Sequence, residues 1–290
     1  MKKLLILSGK GGTGKTTTAA AFIRFADAHA YADCDVDAPN LHLVTAAGGP
    51  AECFDYLGSQ KAVVDLGKCL GCGTCMEVCR FGAVRKVEGI CKIDEFSCEG
   101  CGVCEAVCPT GAVSLQDDVA GEVTLYRFPS VFATAELKMG RGNSGKLVSE
   151  VKLALTNAAR GEHLAIIDGS PGIGCPVIAS MSGVDLVLIV AEPSLSGISD
   201  LKRILKTAEI FQTKAAVCVN KYDASLESTE QIKRFCADHP VPFVGRIPYD
   251  RQASLAINAG KSLADVDCPA SHALREVFAR TMKLLETSAE

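Results

Sequence analysis

Residues 6–18 read Ile6-Leu7-Ser8-Gly9-Lys10-Gly11-Gly12-Thr13-Gly14-Lys15-Thr16-Thr17-Thr18, and this stretch decides the fold. It is a G-x-x-x-x-G-K-T loop that follows the apolar run Leu4 to Leu7 and precedes the helix-forming run Thr17 to Phe25. A phosphate-binding loop needs this order of buried strand, glycine loop and helix N-terminus. The sequence therefore predicts a strand over 3–8 and a helix over 15–28, with a polyphosphate between them.

The loop assigns roles to its residues. Glycines let consecutive backbone N–H groups curl around a polyphosphate, and the helix N-terminus adds its positive dipole end. We expect Lys15 to contact the β- and γ-phosphates and the Thr16 hydroxyl to face Mg²⁺. The alternative is an ordinary glycine-rich turn before a helix. The predicted ATP-binding residues of the loop are Gly9, Lys10, Gly11, Gly12, Thr13, Gly14, Lys15, Thr16 and Thr17.

A second lysine inside the loop narrows the class of phosphate-binding loop that the sequence predicts. The segment KGGTGKTT, which begins at Lys10, resembles the deviant phosphate loop of the MinD/ParA family, a family that includes the nitrogenase iron protein. The resemblance implies an ATP-sandwich dimer, either a homodimer or a heterodimer with a related ATPase. In such a dimer Lys10 would reach the partner's nucleotide as a trans-acting charge stabiliser, comparable to an arginine finger. The alternative is a surface lysine on a flexible loop.

Two groups of carboxylates follow strand-like runs. A short second strand ends at Asp33, and the segment after it resembles the family's first switch, D-x-D-x-x-x-x-N-L. The resemblance implies that Asp35 positions the attacking water and that Asn40 is the switch asparagine. The alternative is that these acids only cap a helix.

The apolar run 164–167 ends in Asp168, the form of a strand that delivers a carboxylate to Mg²⁺. It resembles the family's second switch, with Ser170 inserted before Pro171 and Gly172 as a hinge. The implied catalytic residues are Lys10, Lys15, Asp35 and Asp168, and the implied Mg²⁺ ligands are Thr16, Asp35 and Asp168. Cys175, in the same loop, is interpreted either as a small buried residue or as a thiol near the dimer axis.

The second half of the chain alternates strands and helices. Apolar runs at 186–191, 215–219 and 243–247 alternate with helical segments near 197–211, 226–238 and 271–286. This rhythm predicts an α/β P-loop NTPase with a mostly parallel sheet and helices on both faces. By resemblance, Asn220 and Pro248 contact adenine.

A hairpin is expected from strands at 123–127 and 131–137. Gly140 to Lys146 is interpreted as a plain loop entering a helix at 147–159, with a basic switch-like loop facing a partner as the alternative.

Nine of the fifteen cysteines lie between Cys69 and Cys108. Residues 69–79 read C-x₂-C-x₂-C-x₃-C and residues 98–108 read C-x₂-C-x₂-C-x₃-C-P, an internal duplication that resembles a small α+β bacterial ferredoxin with two [4Fe–4S] clusters. Zinc is the competing metal, but zinc sites usually pair two C-x₂-C units. Cys91, out of register, is expected to be a buried thiol. The resemblance assigns cluster I to Cys69, Cys72, Cys75 and Cys108, and cluster II to Cys98, Cys101, Cys104 and Cys79.

The composition and the two ends of the sequence limit the expected partners and localisation. The chain has 290 residues, is 48% apolar and carries a net charge of −4, which gives no electrostatic reason to expect nucleic acid or an anionic membrane. The N-terminus lacks signal-peptide features, so we expect a cytoplasmic protein. Residues 275–290 contain no basic run that would anchor a membrane. The predicted domains are a MinD/ParA-like ATPase, 1–58 and 117–290, and an inserted ferredoxin, 59–116.

Together these features predict an Mg·ATP-hydrolysing protein with two [4Fe–4S] clusters. Its nucleotide-driven dimer switching would gate electron transfer to a redox partner, such as a protein with a metal cofactor. Two alternatives remain. One is a cluster carrier or assembly ATPase, which the lack of a C-x-x-C pair outside the insert disfavours. The other is a MinD/ParA-like positioning or regulatory ATPase whose clusters sense redox state.

Overall fold

The computed structural model describes residues 1–45 and 48–287. Over these residues the strands are β1 Lys2–Leu7, β2 Ala30–Asp33, β3 Ala51–Leu57, β4 Lys61–Val64, β5 Val84–Val87, β6 Ile90–Ile93, β7 Val113–Gln116, β8 Val119–Tyr126, β9 Val131–Leu137, β10 Leu164–Asp168, β11 Leu186–Ala191, β12 Lys214–Asn220 and β13 Phe243–Ile247. The helices are α1 Lys15–Phe25, α2 Thr74–Val78, α3 Val103–Ala106, α4 Ser144–Ala158, α5 Cys175–Met181, α6 Leu195–Ile210, α7 Leu226–Asp238, α8 Arg251–Asn258 and α9 Pro269–Glu286. The last three residues of the expected C-terminal stretch, 288–290, lie outside the described part of the chain.

The main sheet has the order β13-β12-β11-β1-β10-β2-β9-β8-β3. Six neighbouring pairs, from β13 to β9, are parallel, which confirms the predicted mostly parallel sheet. Strands β11 to β13 lie on one side of β1, and β10, β2 and β9 lie on the other, so β1 marks the switch point of the sheet. In such sheets ligands bind at the carboxyl ends of the strands beside the switch point. The register of β10 places Asp168 opposite both Ile6 of β1 and Asp33 of β2, so the predicted carboxylates share the edge where the phosphate loop begins.

The core explains why α1 lies against this edge. Ala19, Ala20 and Ala21 are small and all buried, and Phe22 packs edge-to-face on Phe278 of α9 with ring centroids 5.0 Å apart. The helix ends at Phe25, three residues earlier than predicted. Asp27 takes a left-handed φ of 47°, and the N–H of Ala28 turns back to the carbonyl of Ile23, so the helix cannot continue.

The chain divides into two compact units. We call them the P-loop unit, residues 1–53, 123–136 and from 144 onward, and the cysteine unit, residues 54–122 and 137–143. The cysteine unit takes in the predicted insert, 59–116, together with residues on each side of it.

The cysteine unit repeats itself element for element at an offset of 29 residues. Cys69 corresponds to Cys98, β4 to β6, α2 to α3 and β5 to β7. The strands pair across the two repeats, β4 with β7 and β5 with β6, both antiparallel. Even the turns match: Asp65 accepts the N–H of Gly67, as Asp94 accepts that of Phe96. The duplication predicted from cysteine spacing is therefore present in the backbone.

Candidate functional site

The phosphate loop joins β1 to α1 with the geometry its glycines allow. Gly14, the residue before α1, has a φ of 94°, and its carbonyl accepts the N–H of Thr18 at 3.0 Å to start the helix. A Cβ at position 14 would lie 2.3 Å from Nδ2 of Asn220, so a side chain there would clash as well as strain the backbone. The loop is thus open to a ligand on one side and held by Asn220 on the other.

Lys15 is buried and bonded to carboxylates. Its Nζ lies 2.6 Å from Oδ1 of Asp168 and 3.9 Å from Oδ2 of Asp35. Burial alone would lower the pKa of Lys15, but Asp168 and the neighbouring acids outweigh it and leave that pKa raised. Burial raises the pKa of Asp168 to about 6, against the opposing effect of Lys15. A lysine cation therefore stands in the position where a polyphosphate would arrive.

The same carboxylates fit a divalent cation. The second oxygen of Asp168, Oδ2, is buried and has no hydrogen-bond partner among the described residues. A buried oxygen left unpaired costs free energy unless a ligand satisfies it. The hydroxyl of Thr16 lies 3.4 Å from Lys15 Nζ, so it belongs to the same group of atoms. Hydroxyl and carboxylate oxygens are the ligands that Mg²⁺ prefers, so Thr16, Asp35 and Asp168 suit it.

Asp33 has a positioning role that sequence analysis missed. Its buried carboxylate accepts the N–H groups of Asp35 at 3.0 Å, Asn40 at 2.8 Å and Leu41 at 2.9 Å. These bonds fold the segment after β2 back over the strand end and hold Asp35 beside Lys15. The available signal was an aspartate as the last residue of a strand, but sequence could not say which N–H groups it would bind.

The segment after β10 is tied to two strand ends. The carbonyl of Asp168 accepts the N–H of Cys34 at 2.7 Å, and the hydroxyl of Ser170 donates to the carbonyl of Cys34 at 2.5 Å. Gly172, predicted as a hinge, has a φ of 94°, and its N–H donates to the carbonyl of Ser8 at 3.0 Å. The segment after β10 is therefore joined by main-chain hydrogen bonds to Ser8, just before the phosphate loop, and to Cys34 after β2.

Lys10 is bonded within its own chain. Its Nζ lies 2.5 Å from Oε2 of Glu192 and 3.4 Å from the hydroxyl of Ser196, and 41% of the side chain is exposed. Glu192, at the end of β11, was not predicted as a partner, because 182 residues separate it from Lys10. The trans-acting role of Lys10 remains a prediction, and it would require this bond to break.

The predicted adenine contacts lie on the other side of the loop. The side-chain amide of Asn220 donates to the carbonyl of Thr13 at 2.7 Å and accepts the N–H of Lys221 at 2.9 Å. Asn220 and Pro248 line a cavity of about 170 Å³ that also includes Gly12 and Gly14. Asn220 thus supports the phosphate loop as well as facing the predicted base site.

A larger cavity, of about 960 Å³, opens over the phosphate side. Its walls include Lys15, Thr16 and Asp35 together with the apolar residues Leu43 and Ile257. The cavity therefore joins the polar lysine–carboxylate group to an apolar wall and has room for a large ligand.

In the cysteine unit, backbone N–H groups point at cysteine sulfurs. Ala62 donates to Sγ of Cys98 at 3.4 Å, and Ala112 donates to Sγ of Cys108 at 3.2 Å. Burial raises the pKa of Cys108, but its hydrogen bonds, chiefly from the Thr110 and Val113 backbone, outweigh this and lower it to about 7. Such bonds favour thiolates, and they tune cluster ligands. At Cys98 and Cys108 the backbone therefore favours the thiolate form that a metal ligand needs.

The predicted cluster ligands differ in exposure. Cys75 and Cys98 are buried, Cys72 and Cys101 are exposed, and Cys69, Cys79, Cys104 and Cys108 are half-buried. Across the described residues, no three His, Cys, Asp or Glu side chains converge as a site for one metal ion. Cys91 is 1% exposed, which confirms the predicted buried thiol.

The interpretation of Cys175 as a small buried residue is wrong. The residue begins α5 and is exposed. The backbone of Cys175, in contrast, packs closely on Gly145 of α4. A Cβ atom added to Gly145 would lie only 3.1 Å from the Cys175 carbonyl oxygen. Gly145 itself lies in α4, which begins at Ser144, three residues earlier than predicted. The interpretation of a loop that enters a helix is confirmed, with the loop shortened to residues 140–143.

Comparisons with known proteins agree with this geometry. A family model described as the CobQ/CobB/MinD/ParA nucleotide binding domain matches residues 4–263. An uncharacterized protein of Methanocaldococcus jannaschii is 30% identical over 297 aligned positions, covering 98% of this chain and 97% of that protein. An uncharacterized ATP-binding protein of the same organism is 28% identical over 286 positions, covering 96% of this chain and 86% of that protein.

Solved structures share the fold. The septum site-determining protein MinD complexed with Mg-ADP, from Pyrococcus horikoshii, has a TM-score of 0.57 at 17% identity and covers 100% of this chain and 99% of its own. The MinC:MinD cell division complex of Aquifex aeolicus has a TM-score of 0.56 at 16% identity, covering 98% and 96%. Within residues 1–45 and 48–287, no helix combines the length and apolar character that crossing a membrane requires.

Proposed function

The chain belongs to the CobQ/CobB/MinD/ParA nucleotide-binding family, and from that premise we propose that it is an Mg·ATP-hydrolysing switch that controls electron transfer from two [4Fe–4S] clusters to a partner protein. One observation carries the proposal: a buried lysine–carboxylate site and a duplicated set of cysteine loops occur in a single chain. The curated relative named as ATP-binding supports the choice of nucleotide.

The first step is an exchange of partners at Lys15. Without nucleotide, its ammonium is neutralised by Asp168 at 2.6 Å. The phosphates of ATP, cradled by the loop N–H groups, offer a larger negative charge, so Lys15 turns to the β- and γ-phosphates. This frees both oxygens of Asp168 for a cation. Thr16, Asp168 and Asp35 would hold Mg²⁺, whose charge would offset the negative charge that develops during hydrolysis.

Asp35 then orients the attacking water. Burial raises the pKa of Asp35, with Lys15 opposing and Asp168 adding to the effect. A carboxylate with a raised pKa accepts a proton more readily than an exposed one. Asp33 holds it in place through the N–H of Asp35. Lys10, released from Glu192, would complete the site of the facing protomer in a homodimer or in a heterodimer with a related ATPase.

The cysteine unit supplies the redox part. Cys69, Cys72, Cys75 and Cys108 would hold one cluster and Cys98, Cys101, Cys104 and Cys79 the other. Such clusters supply one-electron transfer at potentials that respond to hydrogen bonding and solvent exposure. The backbone donors to Cys98 and Cys108 are in place for that tuning.

The test is an anaerobic redox titration followed by EPR, with and without Mg·ATP, on protein purified without oxygen. The proposal expects about eight irons per chain and a cluster potential that moves with nucleotide. Clusters that pass intact to an apo-ferredoxin would instead identify a carrier. Protein that contains no iron and is indifferent to nucleotide would refute the proposal.

A further inference from the structure

The two cysteine loops share a backbone but differ at their exposed positions. At the 29-residue offset, three exposed apolar side chains of the first repeat correspond to exposed glutamates of the second. The apolar residues are 57%, 76% and 41% exposed, in that order. The pairs are Leu66 with Glu95, Leu70 with Glu99, and Met76 with Glu105.

The two repeats also differ in their charged residues. Residues 60–88 contain five Lys or Arg and three Asp or Glu, whereas the corresponding residues 89–117 contain one Lys and five Asp or Glu. Four cations of the first repeat are replaced by uncharged residues in the second. The pairs are Lys68 with Ser97, Arg80 with Pro109, Arg85 with Ser114, and Lys86 with Leu115. The first repeat is therefore net basic and the second net acidic, while both expose apolar side chains, with Phe96, Val103 and Val107 in the second.

One of these cations lies directly beside the first cysteine loop. A Cβ at Gly71 would meet the carbonyl of Gly89 at 1.8 Å and Cε of Lys86 at 3.7 Å, so the loop rests on the turn between β5 and β6 next to Lys86. Leu70 precedes Gly71, and the exposed Cys72 follows it. Within the described residues, no carboxylate lies within 4.0 Å of the Lys86 ammonium. Its charge is thus available to a partner.

Single exposed apolar residues are normal on protein surfaces. Here Leu70 and Met76 lie on the loop and helix that carry three predicted ligands of cluster I, and Lys86 lies beside that loop. Lys68, also near the loop, is an exposed cation paired with Asp65 at 3.4 Å. An apolar centre with a charged rim is the anatomy of a protein–protein interface. Nothing in the P-loop chemistry uses these side chains.

We propose that this surface, which we call the first-loop face and define as Lys68, Leu70, Met76 and Lys86, docks an electron-transfer protein whose own cofactor is surrounded by acidic residues. The inference rests on the proposed function, because it places the docked partner beside cluster I. One electron leaves the reduced cluster and reduces the partner's cofactor. Opposite charges speed such encounters and orient them, and salt weakens the effect.

The experiment uses the full-length, cluster-loaded chain, reduced anaerobically, and two oxidised haem proteins of opposite surface charge. Cytochrome b5 is the acidic probe and cytochrome c the basic one. Stopped-flow absorbance gives each rate constant at several salt concentrations. The double variant Lys68→Ser with Lys86→Gln should slow reduction of cytochrome b5 about tenfold at low salt and flatten its salt dependence. Leu70→Glu should slow it as well.

The matched control is Glu99→Gln, at the position of the second repeat that corresponds to Leu70. It should leave the rate with cytochrome b5 within about twofold of the parent value. Iron content and EPR spectra show that each variant keeps its clusters.

Three results would overturn the docking face. They are an unchanged cytochrome b5 rate in both first-loop variants, a rate that rises with salt, and inhibition by duplex DNA, which would assign the basic patch to nucleic acid. A chain that holds no iron, or that reduces neither haem protein, would instead refute the proposed function. The two failures are therefore distinguishable.

Discussion

The P-loop unit buries the groups proposed to act on the nucleotide, whereas the cysteine unit leaves most of its predicted ligands at or near the surface. Lys15 is 5% exposed and Asp168 is fully buried, and they neutralise each other. Of the eight predicted cluster ligands, only Cys75 and Cys98 are buried. The small core around them contains few other side chains, including Ala62, Val84 and Val113.

The difference shows what each unit needs in order to fold. A large sheet with a continuous core can hold a site ready without its ligand. A unit of this size with a small core usually depends on a disulfide or a metal for its stability. We expect the P-loop unit to be stable without nucleotide and the cysteine unit to depend on its clusters.

The largest expected effect is at Lys15. Lys15→Gln removes the charge that should contact the phosphates, so ATP hydrolysis should fall by about 10²-fold or more. Iron content should not change, because the lysine belongs to the other unit. Enzyme assays and iron analysis on the same preparation check both statements. Lys214→Gln, an exposed lysine at the start of β12, is the control. Hydrolysis that survives Lys15→Gln would remove the proposed contact.

The next largest effect is expected in the cysteine unit, at a predicted cluster ligand. Cys101→Ser should lose about four of about eight irons, because it removes one ligand of cluster II. Hydrogen exchange should then increase over β4 to β7, while the strands from β10 to β12 stay protected. Cys53→Ser, at an exposed cysteine outside both motifs, should change neither quantity. Unaltered iron in Cys101→Ser would contradict the ligand assignment.

A smaller effect should appear with pH. Asp168, whose pKa is raised to about 6, is ionised above that pH and protonated below it. Mg²⁺-dependent nucleotide affinity should therefore fall about tenfold per unit as pH drops below 6. The same group should oppose acid unfolding between pH 6 and 4, because the folded state binds this proton more tightly than the unfolded chain. Calorimetric titration with and without Mg²⁺ measures the affinity. An affinity independent of pH down to 5 would exclude Asp168 as the ligand.

The smallest effect concerns Lys10. Its bond to Glu192 is half-exposed, and such pairs contribute about 0 to 1 kcal/mol. Glu192→Gln should release Lys10 and strengthen ATP-dependent dimerisation by at most about fivefold. Analytical ultracentrifugation with a non-hydrolysable ATP analogue measures this, with Glu209→Gln in α6 as control. Weaker dimerisation in Glu192→Gln would mean that the bond supports the closed state.

The parallel sheet could be predicted because its strands are apolar runs that end in recognisable residues. Asp168 and Asn220 follow such runs directly, so sequence located them at one edge. Helix α7 was predicted with its observed bounds because its apolar positions follow the helical period. The cysteine spacing likewise carried enough information to reveal the duplicated backbone.

Other features left no local signal. Strand β3 was missed because nearly all of its side chains are exposed, so no alternation marks it. The Lys10–Glu192 bond joins residues far apart in sequence, and the three N–H groups bound by Asp33 depend on how one loop folds. Cys175 was misjudged because cysteine is usually buried, while position 175 begins a short helix of seven residues after glycines and a proline.

In the cysteine unit each strand pairs with a strand of the other repeat, and this pairing has a consequence for how the unit folds. Because β4 bonds to β7 and β5 to β6, neither repeat contains a hydrogen-bonded strand pair of its own. The loop glycines also pack between repeats: Gly71 of the first lies against Gly89, the start of the second, and Gly100 of the second lies against Gln60 of the first. Either repeat alone would leave the edges of both its strands unpaired, so the two repeats must fold together as one unit.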